Sequence, residues 1–432
     1  MTNKFPHVKL PLCIKGELYF SGDKSISHRA LMFGALATGK TQLTNVNSGD
    51  DVKSTIRVLS ACGVEIIQNN DATIVNGNGF KSLKLPIQVL DCGNSGTTAR
   101  LMMGLCAGEG IRVEMTGDAS LRKRPMDRVL LPLRRMGAHF LARSDKFLPI
   151  MLSGDRLNSL NCVLPVASAQ IKSALILAGL QADGITTITS PRQSRDHSER
   201  MLSAMGANIH IDGFVVTVEK STKPLKPINM HIPGDVSSAA FFIVAATLLK
   251  SSEIIIKDVS LNPTRTAFLD YVESMGGFVN KEIIRTEMDE PSGNVLIKSA
   301  ELTAYSPDIS RIPNLIDELP LVALLASQAT GTTIIKGAGE LRFKESDRIK
   351  AIVTNLKKWN VNITELEDGF EIIGPNTLTP SSIESFGDHR IAMMMTIAAL
   401  VAGEDISKLD FPEIAISFPE FFTALNQLIQ HD

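Results

Sequence analysis

The chain has almost no net charge: 44 basic residues stand against 46 acidic ones, a formal balance of -2 over 432 residues. No general affinity for nucleic acid or acidic lipid follows, so any anion recognition has to be local. Cysteine is scarce as well. The five residues Cys13, Cys62, Cys92, Cys106 and Cys162 are an odd number, widely spaced, with no CxxC pair. That argues against a disulfide framework or a zinc site and for reduced thiols in a cytosol. No run reaches the ~18 uninterrupted apolar residues of a bilayer-crossing helix; the longest candidates lie at 239–249 and 391–401. The opening MTNKFPHVKLPLCIKG has no apolar region with a cleavage site, so a cytoplasmic chain without membrane association is expected. What is present is 44% hydrophobic and 21% charged, the composition of a globular protein. The length points to about two domains.

The most informative feature is internal self-similarity. Six apolar helical segments each run through a turn into a β-branched strand: MFGALATGKTQLTNV, RLMMGLCAGEGIRVEM, ALILAGLQADGITTIT, FFIVAATLLKSSEIII, LVALLASQATGTTIIKG and MMMTIAALVAGEDIS. With Gly39, Gly110, Gly184, Ser252, Gly331 and Glu404 as turn markers, the spacings are 71, 74, 68, 79 and 73 residues. A period this regular marks a repeat architecture. Between the markers recurs a second, amphipathic helix, which Gly63, Gly137, Gly206, Gly276 or Asn360 should stop in the left-handed conformation. The sixth copy, SFPEFFTALNQLI, runs to the end of the sequence with no following strand. The simplest completion packs an N-terminal strand, roughly residues 8–20, with the C-terminal half, leaving three units in each of two lobes. Because the first helices are apolar all round, they are expected inside each lobe with sheets outside, and not on the faces of one doubly wound sheet.

Before five of the six apolar helices lies a loop rich in Gly, Ser, Asp or a basic residue: SGDKSISHR, DCGNSGTTAR, PVASAQIK, PGDVSS and SFGDHR; the sixth helix starts at LIDELP. Helix N-termini carry unpaired N–H groups and partial positive charge, so several converging on one cleft make an anion site. Lys24, Arg29, Arg100 and Arg390 add full charges. Capping alone would account for Asp235 or Ser237 but needs no cations. Gly34 to Thr41 matches the phosphate-loop pattern GxxxxGK[ST], but Gly39 should end a helix and Thr41 begin a strand, the reverse of a nucleotide-binding context. Three further sets stand out. Lys344 and Arg348, four apart in RFKESDRIK around Glu345, would share a helical face. Arg122, Lys123 and Arg124 precede Pro125, which suits a first helical turn. Asp317 and Glu318 open a buried helix, as a cap or as a base.

The run GDKSISHRAL, with GNSGTTARL, RKRPM, ASAQIKSAL, SRDHSERML, PGDVSSAAF, IDELP, FKESDRI and GDHRIAM, closely resembles the EPSP synthases, the 3-phosphoshikimate 1-carboxyvinyltransferases of the enolpyruvyl transferase superfamily. The resemblance implies a two-domain inside-out α/β barrel, each domain built from three βαβαββ units with buried helices. Residues 21–233 would form one lobe, residues 1–20 with 234–432 the other, and the active site would lie in the interdomain cleft. It also implies transfer of the enolpyruvyl group of phosphoenolpyruvate to the 5-hydroxyl of shikimate 3-phosphate, with release of phosphate, by a monomer using neither metal nor cofactor. Carried over by position, Lys24, Ser25, Arg29, Ser168, Gln170, Ser194, Asp317 and Lys344 would contact shikimate 3-phosphate. Lys24, Gly96, Arg124, Gln170, Arg348 and Arg390 would contact phosphoenolpyruvate. Asp317 would take the hydroxyl proton, and Glu345, with Lys24 nearby, would protonate and later deprotonate the methylene carbon.

Three positions depart from the pattern. Ser21 stands where many relatives have proline, Ala169 replaces a serine used on the substrate phosphate, and Ser417 falls where one subgroup has lysine. Gly96 leaves room beside the pocket, so sensitivity to glyphosate is expected. The sister transferase acting on UDP-N-acetylglucosamine would carry a cysteine within residues 118–123, where this chain has none. A non-catalytic metabolite-binding domain would leave the full set of Lys24, Asp317, Glu345, Arg124, Arg348 and Arg390 unexplained.

Overall fold

Helix Lys24–Leu36 shows how the repeat works. Asp23 caps its start by accepting from the Ile26 N–H, the helix has no charged residue in its last turn, and every residue from Ile26 to Leu36 is buried. The chain then enters strand Thr38–Thr44 directly. In this computed structural model, which describes residues 12–69 and 72–431, the same buried helix recurs at Gly96–Ala107, Ala169–Gly179, Val236–Leu248, Leu319–Gln328 and His389–Val401. The second helices differ in kind. Asp50–Ala61, Asp127–Arg135, His197–Ala204, Ala267–Ser274 and Arg348–Lys358 bury one face only. All five end at the residues singled out above: Gly63, Gly137, Gly206, Gly276 and Asn360 have positive φ, Asn360 at 63°.

The chain divides into two compact units. The N-terminal unit comprises Ser21–Ile232 together with Thr286–Glu290, so Pro233 falls outside it and a short later segment falls inside, unlike the simple boundary at 233. It holds three four-stranded sheets of one pattern. In the second, Leu90–Asp91 runs parallel to Arg112–Thr116, which pairs antiparallel with Phe147–Ser153, itself antiparallel to His139–Arg143. The third repeats this with Asn161–Val163, Ile185–Thr189, Val215–Glu219 and Ile209–Asp212. In the first sheet the parallel place beside Thr38–Thr44 is taken by Asn229–His231, the last strand of the unit. The buried helices cross closely: a Cβ on Gly104 would lie 2.1 Å from the Ala174 carbonyl oxygen, so only glycine fits there.

The C-terminal unit joins the chain's opening strand to the residues after Ile232. Strand Leu12–Tyr19 lies parallel to Glu253–Ser260 in a five-stranded sheet ordered Phe278–Glu287, Glu290–Lys298, Glu253–Ser260, Leu12–Tyr19, Ile429–His431. Residues 8–11 of the expected N-terminal strand lie outside the described residues. The expectation that no strand follows the last helix is overturned: Ile429–His431 pairs antiparallel with Leu12–Ile14. Three residues ending a chain are too few to carry a periodic signal, and only their partner makes them a strand. The fifth copy has a three-stranded sheet, Gly331–Ile335, Gly369–Gly374 and Asn362–Leu366, with a single parallel bridge from Thr303 to Thr330 beside it. In the sixth, two 3-10 turns, Ile406–Lys408 and Pro412–Ile416, stand where a strand would follow the helix.

Phe20, Phe242, Phe418 and Phe421 form a cluster of edge-to-face pairs and one tilted pair, with ring centroids 5.3 to 6.0 Å apart. It ties the end of the opening strand to the buried helix Val236–Leu248 and to the C-terminal helix Phe421–Leu428, at roughly 0.5–1.5 kcal/mol per pair beyond burial. No helix among the described residues is long and apolar enough to cross a membrane.

Candidate active site

Each unit carries its own set of charged residues at the starts of its buried helices. In the N-terminal unit, Lys24 is the first residue of helix Lys24–Leu36 and its Nζ lies 3.1 Å from Asp51 at the start of the next helix. Ser25 follows, half-buried, and its carbonyl accepts from Arg29 Nη1 at 2.9 Å. Arg29 is 3% exposed, yet its guanidinium is held by hydroxyls: Nε donates to Ser198 at 2.8 Å and Nη2 to Ser173 at 2.9 Å. Burial pulls its pKa down to about 10, Glu199 working against that and Arg195 with it. It remains a cation at neutral pH, shielded from water and available to a carboxylate or phosphate.

Beside it, the start of helix Gly96–Ala107 is built around a hydrogen-bonded chain. Arg124 Nη2 donates to Asn94 at 2.9 Å, Arg100 Nη1 to Gln170 at 3.0 Å, and Gln170 Nε2 to Thr97 at 3.0 Å. Gly96 sits between the two guanidinium groups, and a Cβ there would meet Arg100 Nη1 at 2.6 Å and Arg124 Nη1 at 3.5 Å. Ser168 caps helix Ala169–Gly179, with Ala169 as its first residue. Ser194 lies in the loop before helix His197–Ala204, its hydroxyl buried with no hydrogen-bond partner among the described residues. Pro125 is not in a first helical turn. A 3-10 turn spans Leu121–Lys123 and the helix begins only at Asp127, because Arg124, the residue before proline, is extended and Met126 takes the cap position.

A second chain of buried groups links three helix starts. His28 Nδ1 and the Thr55 hydroxyl lie 2.7 Å apart, Thr55 and Thr98 2.7 Å apart, and Thr98 donates to Ser95 at 2.7 Å. Burial holds His28 well below the usual histidine range, and the neighbouring charges of Lys24 and Arg29 push the same way.

In the C-terminal unit the centre is Arg348, 1% exposed. Its Nε lies 2.7 Å from Asp388 Oδ2, its Nη2 2.6 Å from Glu345 Oε2 and 3.2 Å from Asp388 Oδ1, and its Nη1 3.5 Å from Asp317 Oδ1. Burial alone would lower this guanidinium, but Asp388, Glu345 and Asp317 carry it above its ordinary value. Asp388 is itself pulled below the usual aspartate range: burial raises it, and Arg348 more than offsets that. Lys344 reaches Asp317 Oδ1 at 3.3 Å, but not from a helix. The helix begins at Arg348, and Lys344 ends a 3-10 turn, so the shared helical face is replaced by a shared carboxylate. Arg390 Nη1 donates to Ser237 at 2.9 Å and to the Asp317 carbonyl at 3.0 Å, with Glu318 3.6 Å away. Glu318 occupies the cap position, buried and without a capping hydrogen bond from its side chain, and Asp317 lies partly buried beside two cations.

Sequence reasoning placed the cations with Asp317 and Glu345, and missed Asp388 and Asp51, the other carboxylates that hold them. Asp388 looks like an ordinary cap in SFGDHR, and it does cap, accepting from the Arg390 N–H at 2.9 Å. Its reach to Arg348, forty positions away, has no local signal. Asp51, Ser173, Ser198, Asn94 and Thr97 were missed for the same reason. Gly39 also differs from expectation, lying inside strand Thr38–Thr44 and not at the helix end. The phosphate-loop match is therefore a helix running into a strand. Among the described residues no group of histidine, cysteine and carboxylate side chains could hold a metal ion.

The family model described as EPSP synthase (3-phosphoshikimate 1-carboxyvinyltransferase) matches residues 8–425. The chain belongs to the EPSP synthase family. Among its relatives, the 3-phosphoshikimate 1-carboxyvinyltransferase of Bacillus licheniformis is 46% identical over 419 residues, covering 96% of this chain and 98% of that one. The Bacillus subtilis enzyme of the same name is 45% identical over 417 residues, covering 96% and 97%. A solved EPSP synthase from Acinetobacter baumannii superposes with a TM-score of 0.84 at 36% identity, covering 97% of each chain. The enolpyruvyl transferase NikO from Streptomyces tendae, at 16% identity and a TM-score of 0.74 over 98% and 97% of the two chains, shares the fold. The two-unit α/β architecture with buried helices is thus that of the EPSP synthase family.

Proposed function

We propose that this chain transfers the enolpyruvyl group of phosphoenolpyruvate to the 5-hydroxyl of shikimate 3-phosphate, giving 5-enolpyruvylshikimate 3-phosphate and phosphate. Membership of the family is the observation that carries the reading. The geometry supports it by placing, within each unit, groups of the kinds the reaction requires. Arg29, Ser25, Ser168, Gln170 and Ser194, with Lys24, take shikimate 3-phosphate, the last two serines as hydroxyl donors to anionic oxygen. Gly96, Arg124, Gln170, Arg348 and Arg390 take phosphoenolpyruvate, whose carboxylate and phosphate suit forked guanidinium donors better than point charges.

Two proton transfers follow. Asp317 accepts the 5-hydroxyl proton as that oxygen attacks C2 of phosphoenolpyruvate, and Lys344, 3.3 Å from Asp317, orients it beside the shikimate ring. Glu345, entering the step protonated and assisted by Lys24, delivers that proton to C3, so C2 becomes tetrahedral. The second half reverses one step: Glu345 removes a C3 proton as the C2–phosphate oxygen bond breaks and phosphate leaves. Both carboxylates act as general acid or base, each worth roughly 10²–10⁴ in rate. The chain is taken to work as a cytoplasmic monomer and to be inhibited by glyphosate at the phosphoenolpyruvate subsite.

A phosphate-release assay with both substrates tests this. Wild-type protein should turn over, while Glu345→Gln and Asp317→Asn should each lose about 10²-fold or more in kcat with intact folding. Folded wild-type protein that releases no phosphate would leave only a binding role.

A further inference from the structure

Behind the shikimate 3-phosphate residues lies an ion pair that the mechanism does not use. Lys172 Nζ lies 2.5 Å from Glu199 Oε1, and the two side chains are 7% and 2% exposed. Lys172 is in the first turn of helix Ala169–Gly179, and Glu199 is in the first turn of helix His197–Ala204. One residue along from each, Ser173 and Ser198 bring their hydroxyls within 2.7 Å of one another. Both accept from Arg29, at 2.9 and 2.8 Å. The two helices are therefore joined by two adjacent rungs, one ionic and one of paired hydroxyls, and the hydroxyl rung grips the buried guanidinium. Helix Ala169–Gly179 also carries Gln170 and is capped by Ser168, and Ser194 lies three residues before the other helix.

A lysine in the first turn of a helix opposes the helix dipole, and burying two charges carries a desolvation cost that their attraction does not always repay. An apolar pair would fill the space with less penalty, so stability alone is a poor reason for these residues. A short contact between charges does what an apolar contact does not: it resists sliding, and so fixes the spacing of the two helix starts. Glu199 is also the foremost charge acting to keep Arg29 cationic against burial.

We infer that Lys172 and Glu199 are positioning residues for the shikimate 3-phosphate subsite, setting through the Ser173–Ser198 rung where Arg29 and the two helix starts stand. This rests on the function proposed above. The test measures both Michaelis constants and kcat for the double variant Lys172→Met, Glu199→Gln, with folding followed by circular dichroism. The expected result is a KM for shikimate 3-phosphate about tenfold higher, with the KM for phosphoenolpyruvate within about twofold, because a displacement of about 1 Å in a substrate-orienting group has effects of this size or larger. Lys172→Arg, which keeps the charge, should leave the KM for shikimate 3-phosphate closer to the wild-type value than the double variant does. Should the double variant not fold, Glu199→Asp, which keeps the charge and draws the carboxylate back by one methylene, should give the same split. Two Michaelis constants that move together, or neither moving in folded protein, would overturn the inference while wild-type turnover left the parent reading standing. Absence of wild-type turnover would remove both.

Discussion

Gly96 shows how one missing side chain can matter at a single residue. The nearest atom to an added Cβ is the far end of the Arg100 side chain, 2.6 Å away, which can swing aside, so Gly96→Ala should fold normally. The swing breaks the link from Arg100 to Gln170 and crowds Arg124. Gly96→Ala should therefore raise the KM for phosphoenolpyruvate by about tenfold with a melting temperature within about 2 °C of wild type. Steady-state kinetics and a thermal melt check both halves. Individual cations such as Arg29, Arg124 and Arg390 were legible in the sequence because they sit beside helix-start residues. Asp317 and Glu345 were legible too, but Asp388 and Asp51 were not, since they are chosen by partners distant in sequence. The C-terminal cations are therefore closely matched by negative charge. Arg348 alone meets three carboxylates.

At the scale of elements, the relay from His28 through Thr55 and Thr98 to Ser95 couples three helix starts and has a consequence for acid stability. The unfolded histidine takes up a proton near its ordinary pKa of 6.5, and the folded one refuses it until well below. Between those values the unfolded state binds more protons, so stability is complete above pH 6.5 and declines as pH falls, at up to about 1.4 kcal/mol per pH unit. His28→Gln should remove that slope. Urea titrations at pH 6.5 and 5.5 should show the variant losing about 1 kcal/mol less than wild type over the interval. The second helices offer a simpler test. Asn360 holds the left-handed place that glycine takes in the other four copies, so Asn360→Ala should cost about 1 kcal/mol and Asn360→Gly should be neutral or slightly stabilising. Chemical denaturation reads both. These stops were legible because Gly or Asn after an amphipathic run is a local signal. The starts near Pro125 and Lys344 were misread because a 3-10 turn intervenes, and sequence periodicity does not separate a 3-10 turn from a first α turn.

For the whole molecule, the repeat was readable because apolar helix, turn and strand recur at nearly constant spacing, and it gave the number of buried helices. It also gave the opening strand its place with the C-terminal half, where Leu12–Tyr19 lies beside Glu253–Ser260. It did not reveal that the first copy borrows Asn229–His231 or that the sixth has no strand directly after its buried helix. A fragment of residues 21–232 should fold alone, with a lowered melting temperature because His197 loses Glu290, 2.7 Å away and fully buried. A fragment of residues 234–432 should not fold until a peptide of residues 12–20 is supplied, since its five-stranded sheet would otherwise be split between Glu253–Ser260 and Ile429–His431. Circular dichroism with and without the peptide decides this.

The placement of Leu12–Tyr19 also sets an order of events on the ribosome. This strand is made before the N-terminal unit, yet one neighbour is translated more than two hundred residues later and the other more than four hundred residues later. Throughout synthesis of the intervening unit it must wait with its ladder of amides unmatched, exposed to wrong partners for many seconds at the usual pace of translation. This stretch therefore stands to gain from a chaperone's protection.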